Sequence, residues 1–177
     1  MLDQNTPDTT EETADWAKTV QRGDIVLFKF PIRLAGEGDK PKVRPCLVLE
    51  VDGDGGERRI VLAYGTSAST PANRGYEIAI THVADLRAAG LNRATRLVGA
   101  RLLSVSPKHS GFNVGGAGSP VVGRLTGNRL ERMQRVRARL HAEHDIAAER
   151  RSECGRKPVT VEYRARRKTL KARKAAA

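Results

Sequence analysis

Short apolar runs separated by turn residues occupy most of the chain up to residue 125. Runs of this length, rich in branched side chains, predict strands rather than helices. In residues 24–30, successive side chains point to opposite faces, and both faces are mostly apolar, which is typical of a strand in a small barrel. The sequence Asp-Gly-Asp-Gly-Gly at 52–56 predicts a hairpin turn between two of the runs. The predicted strands are 24–30, 42–49, 58–64, 76–80, 95–105 (with a bulge at Gly99) and 121–125.

Two stretches have the residue spacing of helices. Residues 83–89 predict a short helix that Gly90 terminates. A longer helix is predicted from Asn128, which with Glu131 forms an N-cap signature. Its apolar stripe consists of Leu130, Met133, Val136 and Leu140. Another face of the same helix is either a solvated surface or an RNA contact, and it carries Arg132, Arg135 and Arg139.

These elements predict a mainly β protein of the α+β class, with a small antiparallel β-barrel, a short helix and a C-terminal helix. Residues 1–16 are acidic and polar and predict a disordered N-terminus. The folded domain is predicted over 17–148. Residues 149–177 form a basic tail without helical periodicity, which we expect to neutralise phosphates without sequence preference.

The charge of the chain points to a polyanionic partner. Its net charge is +12 and its isoelectric point is near 10.4. A strongly basic protein of this kind favours nucleic acid as the partner.

Several classes of protein are excluded by the motifs that the chain lacks. It has neither a P-loop nor a dinucleotide-binding fingerprint, so no cofactor is predicted. Cys46 and Cys154 have no zinc-site spacing and form no disulfide framework, which favours a reducing cytoplasm. His141 and His144 could share a metal by their spacing, but no carboxylate–histidine motif accompanies them, and no metal site is predicted. No apolar stretch reaches the ~20 residues that cross a membrane.

The stretch that begins at Lys42 carries the main candidate chemistry. Pro45 is the first residue of the apolar run that ends at Leu49. The first position of a strand is where the missing N–H of a proline costs least, and Pro45 also biases Arg44 toward an extended backbone. A guanidinium held at a strand end can bind a phosphate through two parallel hydrogen bonds. Taken alone, however, this stretch favours an arginine that only begins a strand and faces water.

Thr66 and Ser67 follow the next predicted strand and supply hydroxyl and backbone N–H donors. In isolation they are a turn whose hydroxyls satisfy their own backbone. Beside Arg44 they suit a site that cleaves RNA, which needs positive charge and hydrogen-bond donors around the developing phosphorane. The attacking 2′-hydroxyl belongs to the RNA, so the protein needs no nucleophile of its own. Arg44 and Thr66 are thus the candidate catalytic residues, with Ser67 and Lys42 as substrate-binding residues.

The order of these motifs resembles the PemK/MazF family of toxin endoribonucleases. The resemblance covers residues 21–142 and depends on Gly23-Asp24-Ile25-Val26, Arg44-Pro45 with its apolar strand, Val61 to Ser67, and Pro120 to Leu125 with the following helix. It implies an SH3-like β-barrel, usually a homodimer, that cleaves single-stranded RNA without metal and is neutralised by a small antitoxin protein. It also implies that Arg44 stabilises the transition state and shuttles a proton, that Thr66 holds the phosphate, and that Arg96 binds substrate.

The chain departs from the family pattern on the later strand. Many members have an Asp-Gln pair where this sequence has Val98-Gly99, so a carboxylate that could act as a base or orient Arg44 is missing there. Glu50 and Glu77 are the candidate replacements.

The leading hypothesis is a metal-independent endoribonuclease that acts as the toxin of a type II toxin–antitoxin system. The alternative is a non-catalytic SH3-like RNA-binding module, either a degenerate family member or a ribosome-associated protein. A toxin that poisons a protein target, as the gyrase toxins with this barrel do, is a third hypothesis.

Overall fold

The computed structural model describes residues 15–31, 41–53, 58–115 and 118–154. Most of the predicted N-terminal tail, up to residue 14, and the basic tail from residue 155 lie outside the described residues. Within the described residues the α+β class is confirmed, because one six-stranded antiparallel sheet, curled into a half-barrel, is accompanied by three helices.

The six strands lie where the sequence predicts them. They are β1 (Asp24–Lys29), β2 (Val43–Asp52), β3 (Arg59–Thr66), β4 (Glu77–Ile80), β5 (Thr95–Val105) and β6 (Val121–Arg124). The helices are α1 (Asp15–Thr19), α2 (Val83–Ala88) and α3 (Gly127–Glu153). The strand order is β4-β5-β3-β2-β1-β6, and β2 and β3 pair antiparallel, as the strands of the predicted hairpin should. Residues 54–56 of its predicted turn lie outside the described residues.

Apolar side chains cover both faces of the sheet, as the alternation within β1 predicts. On one face, Phe28 packs with Trp16 of α1 and with Phe112, and the Trp16 and Phe112 ring centroids are 4.8 Å apart. On the other face, Ile25 packs in a second core with Met133 of α3. Full burial of one such side chain contributes about 1.5–3 kcal/mol. The two cores therefore hold the strand ends, which carry the polar candidates, on a rigid support.

The bulge predicted in β5 is present. The pairing of β3 with β5 passes from Tyr64 with Val98 to Ala63 with Leu102, so residues 99–101 have no partner on β3. Glycine suits position 99, because an added Cβ would lie only 2.7 Å from a methyl group of Val136. A bulge of this kind changes the direction of the side chains beside it.

Helix α3 differs from the prediction at both ends. It begins at Gly127, so Asn128 lies within the first turn and the predicted N-cap at Asn128 is wrong. It continues to Glu153, beyond the predicted domain boundary at residue 148. The chain divides into two compact units between Ala142 and Glu143, and the first unit contains the whole sheet.

All three arginines on the face of α3 that the sequence assigns to either solvent or RNA contact the protein itself. Arg135 pairs at the surface with Glu131, with Nη2 and Oε2 3.9 Å apart. Arg132 donates hydrogen bonds to the Gly75 carbonyl (3.0 Å) and the Glu77 carbonyl (3.1 Å). The Arg139 guanidinium lies 4.2 Å from the centre of the Tyr76 ring. The contacts of Arg132 and Arg139 fasten the segment before β4 to the helix, so for these two residues the structure supports a scaffolding role.

Candidate active site

Arg44 and Thr66 stand opposite each other on neighbouring strands. The β2–β3 register pairs Cys46 with Tyr64. Continuing the antiparallel pairing by two residues places Arg44 across from Thr66, with both side chains on the same face of the sheet. These two residues are 22 positions apart in the sequence, and both line one pocket in the structure.

Both residues line one pocket at the sheet end where β2 begins and β3 ends. The pocket has a volume of about 180 Å³. Its described lining residues are Val43, Arg44, Pro45, Gly65, Thr66, Ser67, Leu91, Asn92, Arg93 and Thr95. This set includes two arginines and no carboxylate, so it favours an anionic ligand.

Gly65 makes the close approach of the two strands possible. A Cβ at Gly65 would overlap the carbonyl oxygen of Pro45. A residue with a side chain would therefore push β2 and β3 apart at the pocket. The glycine that precedes Thr66 is thus part of the geometry of the site, a role that strand patterns do not reveal.

The Tyr64 ring lies beside Arg44, although Tyr64 is not among the described lining residues of the pocket. The Arg44 guanidinium lies 5.7 Å from the centre of the Tyr64 ring, and the Arg101 guanidinium lies 5.8 Å from the same ring. Arg101 follows Gly99 in the β5 bulge, which accounts for its position over a ring on β3. Cation–π contacts of this kind are worth about 0.5–2 kcal/mol. They hold positive charge over one aromatic side chain.

The hydroxyl of Thr66 has one hydrogen bond within the loop. The backbone N–H of Ala68 donates to Thr66 Oγ1 over 3.1 Å, so the self-satisfying turn that the sequence allowed is present. A hydroxyl that accepts one hydrogen bond still has its proton to donate. Thr66 is half-buried, whereas Ser67 is exposed at the pocket rim. Both residues line the pocket, and each hydroxyl has a proton that it can donate.

Arg96 and Lys42 do not line this pocket. Arg96 pairs in register with Thr66, so it lies one strand away, and its guanidinium donates to the Thr70 carbonyl and to Thr70 Oγ1 (3.2 Å). It also forms an ion pair with Glu77, with Nη2 and Oε1 3.3 Å apart. Lys42 is exposed just before β2. Arg96 thus links Thr70, in the segment that follows β3, to Glu77 of β4.

The two carboxylates considered as replacements lie in different places. Glu50 Oε1 accepts hydrogen bonds from Arg137 Nε (2.6 Å) and meets His141 Nε2 (2.6 Å). Burial raises the pKa of the Glu50 carboxyl, but these two partners outweigh it and bring the pKa below its ordinary value. Glu50 thus fastens α3 to β2 and lies outside the pocket. Glu77 shares a face with Arg96 and is held by it.

A thiol nucleophile is absent from this site. Cys46 is fully buried, and burial raises the pKa of its thiol to about 12, with smaller opposing effects from the Gly65 backbone and from Arg44. A thiol in that state is protonated at neutral pH and unreactive. Among the described residues, no group of three or more His, Cys, Asp or Glu side chains could hold a metal ion.

Sequence reasoning missed two residues that line the pocket, Asn92 and Arg93, and it also missed the position of Arg101 over the Tyr64 ring. Asn92 and Arg93 lie on the connection between α2 and β5, far in sequence from Arg44. Gly90 was the available signal, because a glycine that ends a helix fixes the direction of the residues after it. For Arg101 the signal was the bulge at Gly99.

Comparison of the chain with protein-family models and with curated proteins gives no match. Within the described residues, no helix is both long and apolar enough to cross a membrane.

Proposed function

We propose that the protein is an endoribonuclease that cleaves single-stranded RNA without a metal and acts as the toxin of a type II toxin–antitoxin system. One observation carries this proposal. Arg44 and Thr66 line one pocket, and the described lining of that pocket has two arginines and no carboxylate. This charge and these donors suit a phosphodiester better than a neutral or cationic substrate. The resemblance to the PemK/MazF toxins agrees with this proposal.

In the proposed reaction the RNA supplies its own nucleophile. The 2′-oxygen forms a bond to phosphorus while the bond from phosphorus to the 5′-oxygen breaks, which leaves a 2′,3′-cyclic phosphate and a 5′-hydroxyl. The 2′-hydroxyl gives its proton to water, and the leaving 5′-oxygen takes one from water. Arg44 donates to the non-bridging oxygens, whose negative charge grows in the transition state. An arginine side chain stays protonated in proteins, so its role here is electrostatic.

Thr66 has the second role in this scheme. Its hydroxyl donates to the same phosphate and fixes the phosphate against Arg44. Because the Ala68 N–H already orients Thr66 Oγ1, the hydroxyl needs little reorganisation when substrate binds.

The test is cleavage of a long single-stranded RNA in excess chelator by the wild type, by Arg44→Ala and by Arg135→Ala. Arg135→Ala is the control, because Arg135 is exposed on α3 and the variant removes the same charge at a position outside the pocket. We expect the wild type and Arg135→Ala to cleave and Arg44→Ala to lose at least about 100-fold in rate, the usual cost of a donor that stabilises transition-state charge. Replacing the 2′-hydroxyl at the cleaved position by hydrogen must abolish cleavage. Equal rates for the wild type and Arg44→Ala would refute the proposal.

A non-catalytic RNA-binding module is the second candidate. This function is favoured because both candidate carboxylates pair with other side chains. Glu50 pairs with Arg137 and His141, and Glu77 pairs with Arg96. Neither carboxylate lines the pocket. Tight binding of single-stranded RNA with no cleavage by the wild type would select this function.

The proposed toxin acts in the cytoplasm on RNA, as a homodimer, and is neutralised by a small antitoxin protein. These partners follow from the family resemblance and from the charge of +12. Cell growth on induction of the protein, with and without the neighbouring small open reading frame, tests the antitoxin, and sedimentation tests the dimer.

A further inference from the structure

The connection between α2 and β5 forms a wall of the pocket whose composition suits a nucleotide. It contains Asn92 and Arg93 beside the apolar Leu91, and the apolar Val43 of β2 also lines the pocket. A guanidinium binds phosphate, a side-chain amide can both donate to and accept from a base edge, and apolar surface can cover the face of a base. One pocket thus holds two separate cations, Arg44 on β2 and Arg93 on the connection before β5.

The connection that carries Asn92 and Arg93 is held at its beginning by the end of α2. The Leu91 N–H donates to the Leu86 carbonyl (2.8 Å) and the Gly90 N–H to the Arg87 carbonyl (3.1 Å), which is the hydrogen-bond pattern of a Schellman motif. Gly90 has a φ of 65°, and a Cβ at this position would overlap the Val122 carbonyl oxygen. This end of the connection is therefore rigid.

The other end of the connection is held by β5. The hydroxyl of the buried Thr95 donates to the Arg93 carbonyl over 2.9 Å. The backbone of Arg93 is thus fixed by its carbonyl group, while its side chain is exposed along the pocket. Residues held in this way on both sides can act as a preformed binding surface.

We propose that this wall binds the nucleotide next to the phosphate held by Arg44, with Arg93 on that nucleotide's own phosphate and Asn92 on the edge of its base. The inference rests on the proposed function and deepens it. Arg93 contributes affinity that does not depend on sequence, and Asn92 contributes the choice of base. This division follows because phosphate contacts position a nucleic acid and base contacts specify its sequence.

Two measurements separate the two roles. The first is the dissociation constant for a single-stranded DNA, which cannot be cleaved because it lacks the 2′-hydroxyl, measured over a range of salt concentrations. The second is the cleavage of an RNA library with randomised positions, sequenced afterwards. The proteins are the wild type, Arg93→Gln, Arg93→Lys, Asn92→Ala, the exposed control Arg135→Gln and the site variant Arg44→Ala.

For Arg93→Gln we expect affinity to fall roughly tenfold for all sequences, the usual scale of one charge-assisted hydrogen bond. The slope of log K against log salt should fall by about 0.7, the contribution of one phosphate contact on a single strand. Arg93→Lys should restore the slope, because it restores the charge. Arg135→Gln should leave both quantities close to wild type.

For Asn92→Ala we expect the base preference at one position adjoining the cut to relax at least about fivefold relative to wild type, the lower end of base discrimination by side-chain hydrogen bonds. If Arg93→Gln and Asn92→Ala both behave like Arg135→Gln, the inference is wrong although the proposed function stands. If the wild type does not cleave, or if Arg44→Ala cleaves as fast as the wild type, the proposed function itself has failed.

Discussion

Gly65 faces Pro45 across the β2–β3 pair with no room for a side chain between them. A Cβ at Gly65 would overlap the Pro45 carbonyl oxygen and would also lie 3.3 Å from a methyl group of Leu97. The approach of these two backbones sets the distance between Arg44 and Thr66 on the same two strands. It is therefore the contact on which the candidate site depends.

Gly65→Ala should destabilise the fold and disturb the pocket. Forcing a methyl group into backbone that cannot move away costs about 1–3 kcal/mol. Urea unfolding followed by tryptophan fluorescence measures the free energy of unfolding. Gly115→Ala is the matched control, because a Cβ at Gly115 has no atom within 4 Å. Equal midpoints for the two variants would contradict the predicted contact.

Glu50→Gln should loosen the attachment of α3 and make stability less dependent on pH. Hydrogen bonds from His141 and Arg137 outweigh the effect of burial and lower the pKa of Glu50 in the folded protein. A lowered folded pKa contributes stability that is present above the unfolded value of about 4.5 and is lost as the pH falls through the folded pKa. At neutral pH we expect Glu50→Gln to lose about 1–2 kcal/mol.

The measurement for Glu50 is urea unfolding of both proteins between pH 3 and pH 7. The difference between wild type and Glu50→Gln should shrink steadily as the pH falls below about 4.5. The exposed Glu131 is a suitable control, because its partner Arg135 lies 3.9 Å away at the surface. A difference in the free energy of unfolding that stays constant over the whole pH range would show that protonation of Glu50 is not coupled to folding.

Only one of the two cysteines should react in the native protein. Cys46 is buried with a pKa raised to about 12, whereas Cys154 is exposed. Iodoacetamide at pH 8 should therefore modify one thiol per chain in buffer and two in denaturant, counted by intact mass. Cys46→Ala should keep RNA cleavage, because the proposed reaction uses no thiol. Rapid alkylation of Cys46 in the native state would contradict its placement in the core.

Tyr64→Phe should stabilise the protein. The Tyr64 hydroxyl oxygen is buried and has no hydrogen-bond partner among the described residues, so its desolvation is not compensated. Removing it while keeping the ring, with its Arg44 and Arg101 contacts, should raise the free energy of unfolding by about 1 kcal/mol. The denaturation midpoint of the variant measures this. A loss of similar size would instead reveal a partner for the hydroxyl.

The strands, the order of the elements and the pair Arg44 and Thr66 could be predicted from the sequence. Alternation over two faces and unbroken apolar runs are local signals, because a strand presents alternate residues to opposite sides. The hairpin at 52–56 then makes β2 and β3 neighbours, which brings their outer ends, and so Arg44 and Thr66, close together. The start of α3 was misplaced because Asn128 has the chemistry of an N-cap but lies inside the helix.

The remaining features depend on contacts between residues that are distant in sequence, and only the tertiary structure decided them. Arg93 joins the pocket because the end of α2 and the hydroxyl of Thr95 direct its loop there. Glu50 is bound to α3 and Glu77 to Arg96 because of strand register and helix packing, which no local pattern encodes. Local spacing thus determined which segments form strands and where the first two site residues stand. The identity of their neighbours was set by packing, because a side chain's partners depend on which elements meet in space.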